Sequence, residues 1–309
     1  MRLGKKNHER RLPAGVLPPL VTPFEKDRFC GEALRENVSR LNSTGLAGYV
    51  VLGSNGESVY LDDDEALQVV ETVAESRGPD MTLVVGSGRE STRQTVEFSR
   101  RAAAAGADAV LVVPPSYYRG AMNDSALEFH FRSVADALEI PVLLYHVPKF
   151  APVTFSPTLV VNLSSHPNIA GMKDTSGDMV FLGSVLRECP ASFQVFVGTA
   201  SVLLPGLALG AVGGILALAN VAPELCVSLH DLVTRGDLDG ARKLQYRLLP
   251  VNQAITARFG IAGLKHALDL LGFRGGEPRR PLEPLSRKQQ EELARVLEDA
   301  GLPVAQGSR

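Results

Sequence analysis

Residues Thr82 to Val113 read TLVVGSGRESTRQTVEFSRRAAAAGADAVLVV. A short β-branched run stops at Gly86, a polar stretch opens at Ser91, and a second apolar run fills Ala109 to Val113. Strands with one face in water would alternate apolar and polar residues, and these runs do not. They read as buried parallel strands joined by one helix, with the Ser91 hydroxyl placed to cap the free N–H groups at its start.

The same unit recurs in both directions. Gly15 to Leu20, Gly48 to Gly53, Thr82 to Gly86, Ala109 to Val113, Val142 to Val147, Ile169 to Lys173, Gln194 to Gly198 and Gly213 to Ala219 make eight runs. Helix-like segments such as Asp63 to Ser76, Ser91 to Ala105 and Asp124 to Leu138 lie between them. Eight strand–helix alternations, with short connections and no GxGxxG after the first run, predict an α/β fold, a closed (β/α)8 TIM barrel rather than a doubly wound sheet. Beyond the eighth unit only helical periodicity remains, over Leu238 to Thr256, Leu264 to Leu271 and Arg287 to Asp299, with a Gly/Pro connector at Gly272 to Pro284. The expected organisation is a barrel over 13–235 and a helical extension over 236–303, between flexible tails at 1–12 and 304–309.

Composition narrows the function. The 309 residues carry 32 Lys plus Arg against 34 Asp plus Glu, a formal charge of −2, which gives no reason to bind nucleic acid or an anionic membrane. With 45% apolar and 21% charged residues the chain can bury a full core. Three scattered cysteines, Cys30, Cys189 and Cys226, suit neither a disulfide framework nor a metal cluster and fit a reducing cytoplasm. The opening MRLGKKNHERRL lacks the apolar stretch of a secretory signal. Cys189 to Pro223 contains no charged residue, yet Pro205, Gly206, Gly210, Gly213 and Gly214 interrupt it, so it reads as buried barrel core rather than a membrane span.

In such barrels chemistry belongs at the C-terminal strand ends. The sixth run ends in Gly171-Met-Lys173-Asp-Thr-Ser-Gly, placing an amine where side chains converge and water is scarce. Desolvation favours the neutral amine, which can attack a carbonyl to form a Schiff base; the competing role is an ion pair with Asp174 or Asp178. The fifth run ends in Tyr145-His-Val-Pro148, whose phenol suits proton transfer at a substrate oxygen or simply a core tyrosine. After the second run, Gly53-Ser54-Asn55-Gly56-Glu57 offers small hydrogen-bonding groups and backbone N–H groups to a carboxylate, although such a turn is common. Thr175, Gly198 and Leu216 complete the substrate-binding candidates. Val113-Pro-Pro-Ser-Tyr117-Tyr118-Arg119 suggests an interface or a pocket rim. His8, His130, His146, His166, His230 and His266 show no metal-ligand spacing, so neither a metal nor an organic cofactor is expected, and His146 is placed behind Tyr145.

Taken in order, Gly53-Ser-Asn-Gly-Glu57, Tyr117-Tyr118, Tyr145-His-Val-Pro148 and Gly171-Met-Lys-Asp174 resemble the dihydrodipicolinate synthase and N-acetylneuraminate lyase superfamily. The likeness runs from Leu20-Val-Thr-Pro-Phe24 to Arg258-Phe-Gly-Ile-Ala-Gly-Leu-Lys265. It implies a pyruvate-handling class I aldolase, usually a homotetramer, acting on small-molecule keto acids. Lys173 would be the Schiff-base lysine and Tyr145 the proton shuttle. Ser54 and Asn55 would bind the keto-acid carboxylate and relay protons, and Tyr117 would be the relay tyrosine of a neighbouring subunit, Tyr118 being the other candidate.

Departures from the family pattern point to a subfamily. Lysine-pathway synthases resemble Gly-Thr-Thr-Gly-Glu at the carboxylate loop and carry an arginine where this chain has Phe150, next to Lys149. An apolar ring cannot supply the charge-assisted bond that grips a second carboxylate. Gly198-Thr-Ala-Ser201 lacks the acidic residues with which sialic-acid lyases read sugar hydroxyls. The Ser-Asn pair, Pro115-Ser-Tyr-Tyr118 and the RFGIxGLK tail are most similar to 4-hydroxy-2-oxoglutarate aldolase, which makes cleavage to pyruvate and glyoxylate, or cleavage of a related 2-keto-3-deoxy acid, the leading expectation. The alternatives are condensation of pyruvate with aspartate semialdehyde and a non-catalytic keto-acid-binding protein.

Overall fold

The computed structural model describes residues 11–304. Its parallel strands are β1 (Gly15–Leu17), β2 (Gly48–Val51), β3 (Thr82–Gly86), β4 (Ala109–Val112), β5 (Val142–His146), β6 (Ile169–Asp174), β7 (Gln194–Val197) and β8 (Gly213–Ile215). Each pairs in parallel with its sequence neighbour from β2 to β8, and β8 pairs back onto β1. A parallel bridge between Pro19 and Val50, with Leu20 N–H donating to Val50 O at 2.8 Å, completes the circuit. The expected (β/α)8 barrel is the fold.

Around it run α1 (Gly31–Leu41), α2 (Asp63–Ser76), α3 (Thr92–Ala104), α4 (Asp124–Asp136), α5 (Pro157–Ser164), α6 (Met179–Glu188), α7 (Leu203–Leu209) and α8 (Pro223–Thr234). Capping fixes where several of them start. Asp62, Ser91, Asn123, Ser156 and Asp178 each accept a hydrogen bond from a backbone N–H in the first turn that follows. Along each strand alternate residues part company. Leu17, Val50, Val84, Leu111, Leu143, Tyr145, Phe196 and Ile215 fill the barrel interior. Tyr49, Val51, Val85, Val110, Val112, Leu144, Met172 and Val195 belong to the larger core shared with the helices. Full burial of each apolar side chain contributes about 1.5–3 kcal/mol.

Several boundaries differ from the expectation. Strand β1 stops at Leu17 because Pro18 and Pro19 have no N–H to give the ladder, and Ala217–Asn220 turns into a 3-10 helix after β8. The region Cys189 to Pro223 holds β7, α7 and β8, and no described helix is long and apolar enough to cross a membrane. Leu12, expected in the tail, is buried in the barrel interior, where its N–H and C=O both bond the Gln194 amide at 2.8 Å. Residues 1–10 and 305–309 of the expected tails lie outside the described residues.

The extension comprises α9 (Leu238–Gln253), α10 (Gly260–Leu270) and α11 (Arg287–Asp299). The helical stretch expected to Thr256 is present without a break: Pro250 sits inside α9, which passes at Ala254–Arg258 into a π-helical turn. Helix α10 starts at Gly260, ahead of the expected Leu264.

Candidate active site

Strands β5 and β6 place Tyr145 directly opposite Lys173 in register. Because Leu143, Tyr145 and Phe196 face inward and Lys173 pairs with both Tyr145 and Phe196, the ammonium enters the barrel near its C-terminal mouth. Lys173 is 3% exposed and Tyr145 6%. The Lys173 Nζ donates to the Tyr145 hydroxyl at 3.3 Å and lies 4.4 Å from the ring centroid. That hydroxyl also lies 3.4 Å from Ser54 Oγ, so amine, phenol and alcohol form a continuous chain.

The ion pair offered as the alternative role for Lys173 is not formed. Asp174 faces the other side of the sheet, where its Oδ1 holds His146 Nδ1 at 2.7 Å and its Oδ2 accepts from Ser176 Oγ at 2.9 Å. Asp178 is committed to the α6 N-terminus, accepting from Val180 and Phe181 N–H. His146 therefore does lie behind the Tyr145 and Lys173 backbone. Its ring stacks on Phe155 at 5.1 Å and tilts against Phe181 at 5.0 Å, and its Nε2 is buried without a hydrogen-bond partner among the described residues.

The Ser54–Gly56 loop is one turn of 3-10 helix set between Leu52 at φ 56° and Glu57 at φ 53°, left-handed conformations that side chains other than glycine rarely adopt. Thr22 Oγ1 donates to Gly56 O at 2.7 Å and fixes the turn from the opposite side. Ser54 and Asn55 are half-buried, but the Gly56 N–H already closes the turn on Gly53 O at 3.0 Å, which removes one donor from the expected carboxylate cradle. Gly198 is placed by close approach: its N–H donates to Asp174 O at 2.6 Å, and a Cβ there would meet Thr175 Cγ2 at 2.0 Å. Thr175 uses both N–H and hydroxyl on His146 O. Leu216, also expected to bind substrate, is fully buried among the residues of the larger core, and its N–H donates to Leu17 O at 3.0 Å.

Tyr117 is not brought to this chain of groups. It is 79% exposed, stacked edge-on against Tyr118 at 5.0 Å, and anchored through its backbone N–H, which donates to Glu90 Oε2 at 2.9 Å. Glu90 also accepts from Ser116 N–H, so this carboxylate orients the tyrosine loop. Sequence reading gave no role to Glu90 or Thr22; their contacts join residues 26 and more apart, and no spacing rule reveals them.

The fold and the mouth chemistry define a class, carbon–carbon lyases of the class I aldolase type on a parallel barrel. A family model described as the dihydrodipicolinate synthetase family matches residues 12–300. A 4-hydroxy-tetrahydrodipicolinate synthase of Methanopyrus kandleri is 37% identical over 291 residues, covering 93% of this chain and 96% of that protein. Among solved structures, dihydrodipicolinate synthase from Thermotoga maritima superposes with a TM-score of 0.91 at 28% identity, covering 95% of this chain and 100% of that one. A prophage protein of the dihydrodipicolinic acid synthase family from E. coli K12, solved with pyruvate, gives 0.88 at 28% identity, covering 94% and 99%. The chain belongs to the dihydrodipicolinate synthetase family. These relatives do not carry the 4-hydroxy-2-oxoglutarate aldolase name that the loop residues favoured; the names agree better with the synthase alternative.

Proposed function

We propose that the protein condenses pyruvate with aspartate semialdehyde to give 4-hydroxy-tetrahydrodipicolinate, by way of an enamine on Lys173. The carrying observation is the Lys173 amine 3.3 Å from the Tyr145 hydroxyl with no carboxylate among the described residues paired to it. The neutral amine adds to the C2 ketone of pyruvate and water leaves, giving the imine. Loss of a C3 proton forms the enamine, whose carbon attacks the aldehyde. Tyr145, in contact with Ser54, supplies the proton to the new alkoxide. Attack of the product's own amine on C2 then closes the ring and frees Lys173. Asn55 and the Gly53 to Asn55 turn hold the C1 carboxylate.

The synthase name of relatives covering more than nine-tenths of the chain supports this acceptor. Phe150 supports a second reading, cleavage of 4-hydroxy-2-oxoglutarate to pyruvate and glyoxylate: its ring is 58% exposed where an acceptor carboxylate would want a cation. The exposed Tyr117 and Tyr118 support a homotetramer in which Tyr117 of one copy completes the relay of another, and the three free cysteines suit a cytoplasmic setting. Product analysis tests the proposal. Pyruvate and aspartate semialdehyde should yield the cyclic product; glyoxylate release from 4-hydroxy-2-oxoglutarate, with no cyclic product, would establish the second reading instead.

A further inference from the structure

Glu57 follows the Ser54–Gly56 turn directly, yet its carboxylate serves neither the mouth nor solvent. It is 2% exposed, and its left-handed backbone turns the side chain toward the helical extension. There its Oε1 lies 2.6 Å from Nζ of Lys265, a residue of α10 with no exposure at all. Its Oε2 accepts from the Arg279 backbone N–H at 2.8 Å. The Lys265 ammonium donates onward to Glu277 O at 2.9 Å. The Arg279 guanidinium binds Glu65 at 2.5 and 2.8 Å and the Tyr60 carbonyl at 2.9 Å. Both cations lie over the Phe24 ring, at 4.3 and 4.1 Å from its centroid.

A buried ion pair is poor value for stability alone, because removing two charges from water costs several kcal/mol per ion and apolar residues of similar volume often do as well. Directionality is what it supplies. This pair, with Thr22 on Gly56 O, ties the C-terminal end of one short turn to elements far away in sequence, and that turn carries the hydroxyl in contact with Tyr145.

Resting on the aldolase reading above, we propose that Glu57 is a positioning residue for pyruvate binding: through Lys265 and the Arg279 backbone, the helical extension sets where Ser54 and Asn55 stand relative to Lys173. A displacement of about 1 Å in such a group can cost up to ~100-fold in rate. The carboxylate thus acts on the substrate only through the loop.

The test compares wild type, Glu57→Gln, Lys265→Met and the double variant, by thermal melting and by the pyruvate dependence of borohydride trapping at Lys173. Each single change strands one buried polar group and should lower the melting temperature. The double variant removes both charges and should regain most of that stability, and it still answers the question if the single variants fail to fold. Its half-saturating pyruvate concentration should nevertheless stay raised by ~10-fold or more, because the directional tether is gone. Recovery of pyruvate dependence together with stability would show a merely structural pair and overturn the inference alone. Failure of the wild type to trap pyruvate at Lys173 would overturn the aldolase reading and this inference with it.

Discussion

Tyr145 and Lys173 are cross-strand partners: paired in register on β5 and β6, they meet inside the barrel with 3.3 Å between phenol oxygen and amine. Their chain neighbours His146 and Asp174 are likewise paired and meet on the outside at 2.7 Å. Two adjacent steps of one ladder thus build a reactive pair within and a bracing pair without, since successive side chains point to opposite faces of a strand.

Lys173→Met keeps the side-chain volume and removes the nucleophile. Borohydride with pyruvate should add a stable adduct to wild type, localised to Lys173 by peptide mass spectrometry, and none to the variant. Turnover should fall by at least ~1000-fold.

Tyr145→Phe retains the ring beside the Lys173 ammonium but deletes the hydroxyl that contacts both Lys173 and Ser54. Steady-state kcat should drop by roughly 100- to 10,000-fold, the usual worth of a positioned acid–base group. Pyruvate should still be trapped at Lys173, only more slowly.

Phe150→Arg tests the acceptor. Lys149 reaches the Thr256 carbonyl at 3.2 Å and lies 5.3 Å from the Phe150 ring. A guanidinium at position 150 should raise kcat/KM for aspartate semialdehyde by ~10-fold, the worth of one charge-assisted bond, while leaving pyruvate trapping alone. An unchanged acceptor preference would mean that the acceptor carboxylate is held elsewhere.

Asp174→Ala leaves the buried His146 Nδ1 without its carboxylate and Ser176 without an acceptor. Leaving a buried polar group without its partner costs roughly 1 to 3 kcal/mol, which denaturant unfolding would register. His146→Phe, which removes the polar atoms and keeps the stacking on Phe155, should cost less.

His130 makes stability depend on acid. Burial pushes its pKa from 6.5 down to about 4, with Glu90 pulling the other way, and its Nδ1 is engaged by Thr92 Oγ1 at 2.9 Å. The unfolded chain therefore binds a proton that the folded one refuses between pH 6.5 and 4, so stability falls as pH drops through that window, by about 3 kcal/mol at most. His130→Asn, which retains an acceptor near the Nδ1 position, should flatten that limb in urea titrations at stepped pH.

The barrel was legible in the chain because parallel strands buried on both faces leave continuous apolar runs, and a capping residue such as Ser91 marks a helix start by local chemistry, although the caps of the helices expected to open at Asp63 and Asp124 are the preceding Asp62 and Asn123. Lys173 and Tyr145 were legible because they close two of those runs, and strand ends share one mouth. Spacing could not say whether Lys173 would pair with Asp174, since that depends on which face each residue takes and on what His146 offers across the ladder. The tertiary structure alone joined Glu57 to Lys265 across more than 200 residues, and it alone buried the Leu216 side chain in the larger core. Local patterns follow from backbone periods of two and 3.6 residues; long-range partners depend on how layers pack, which no short window of sequence encodes.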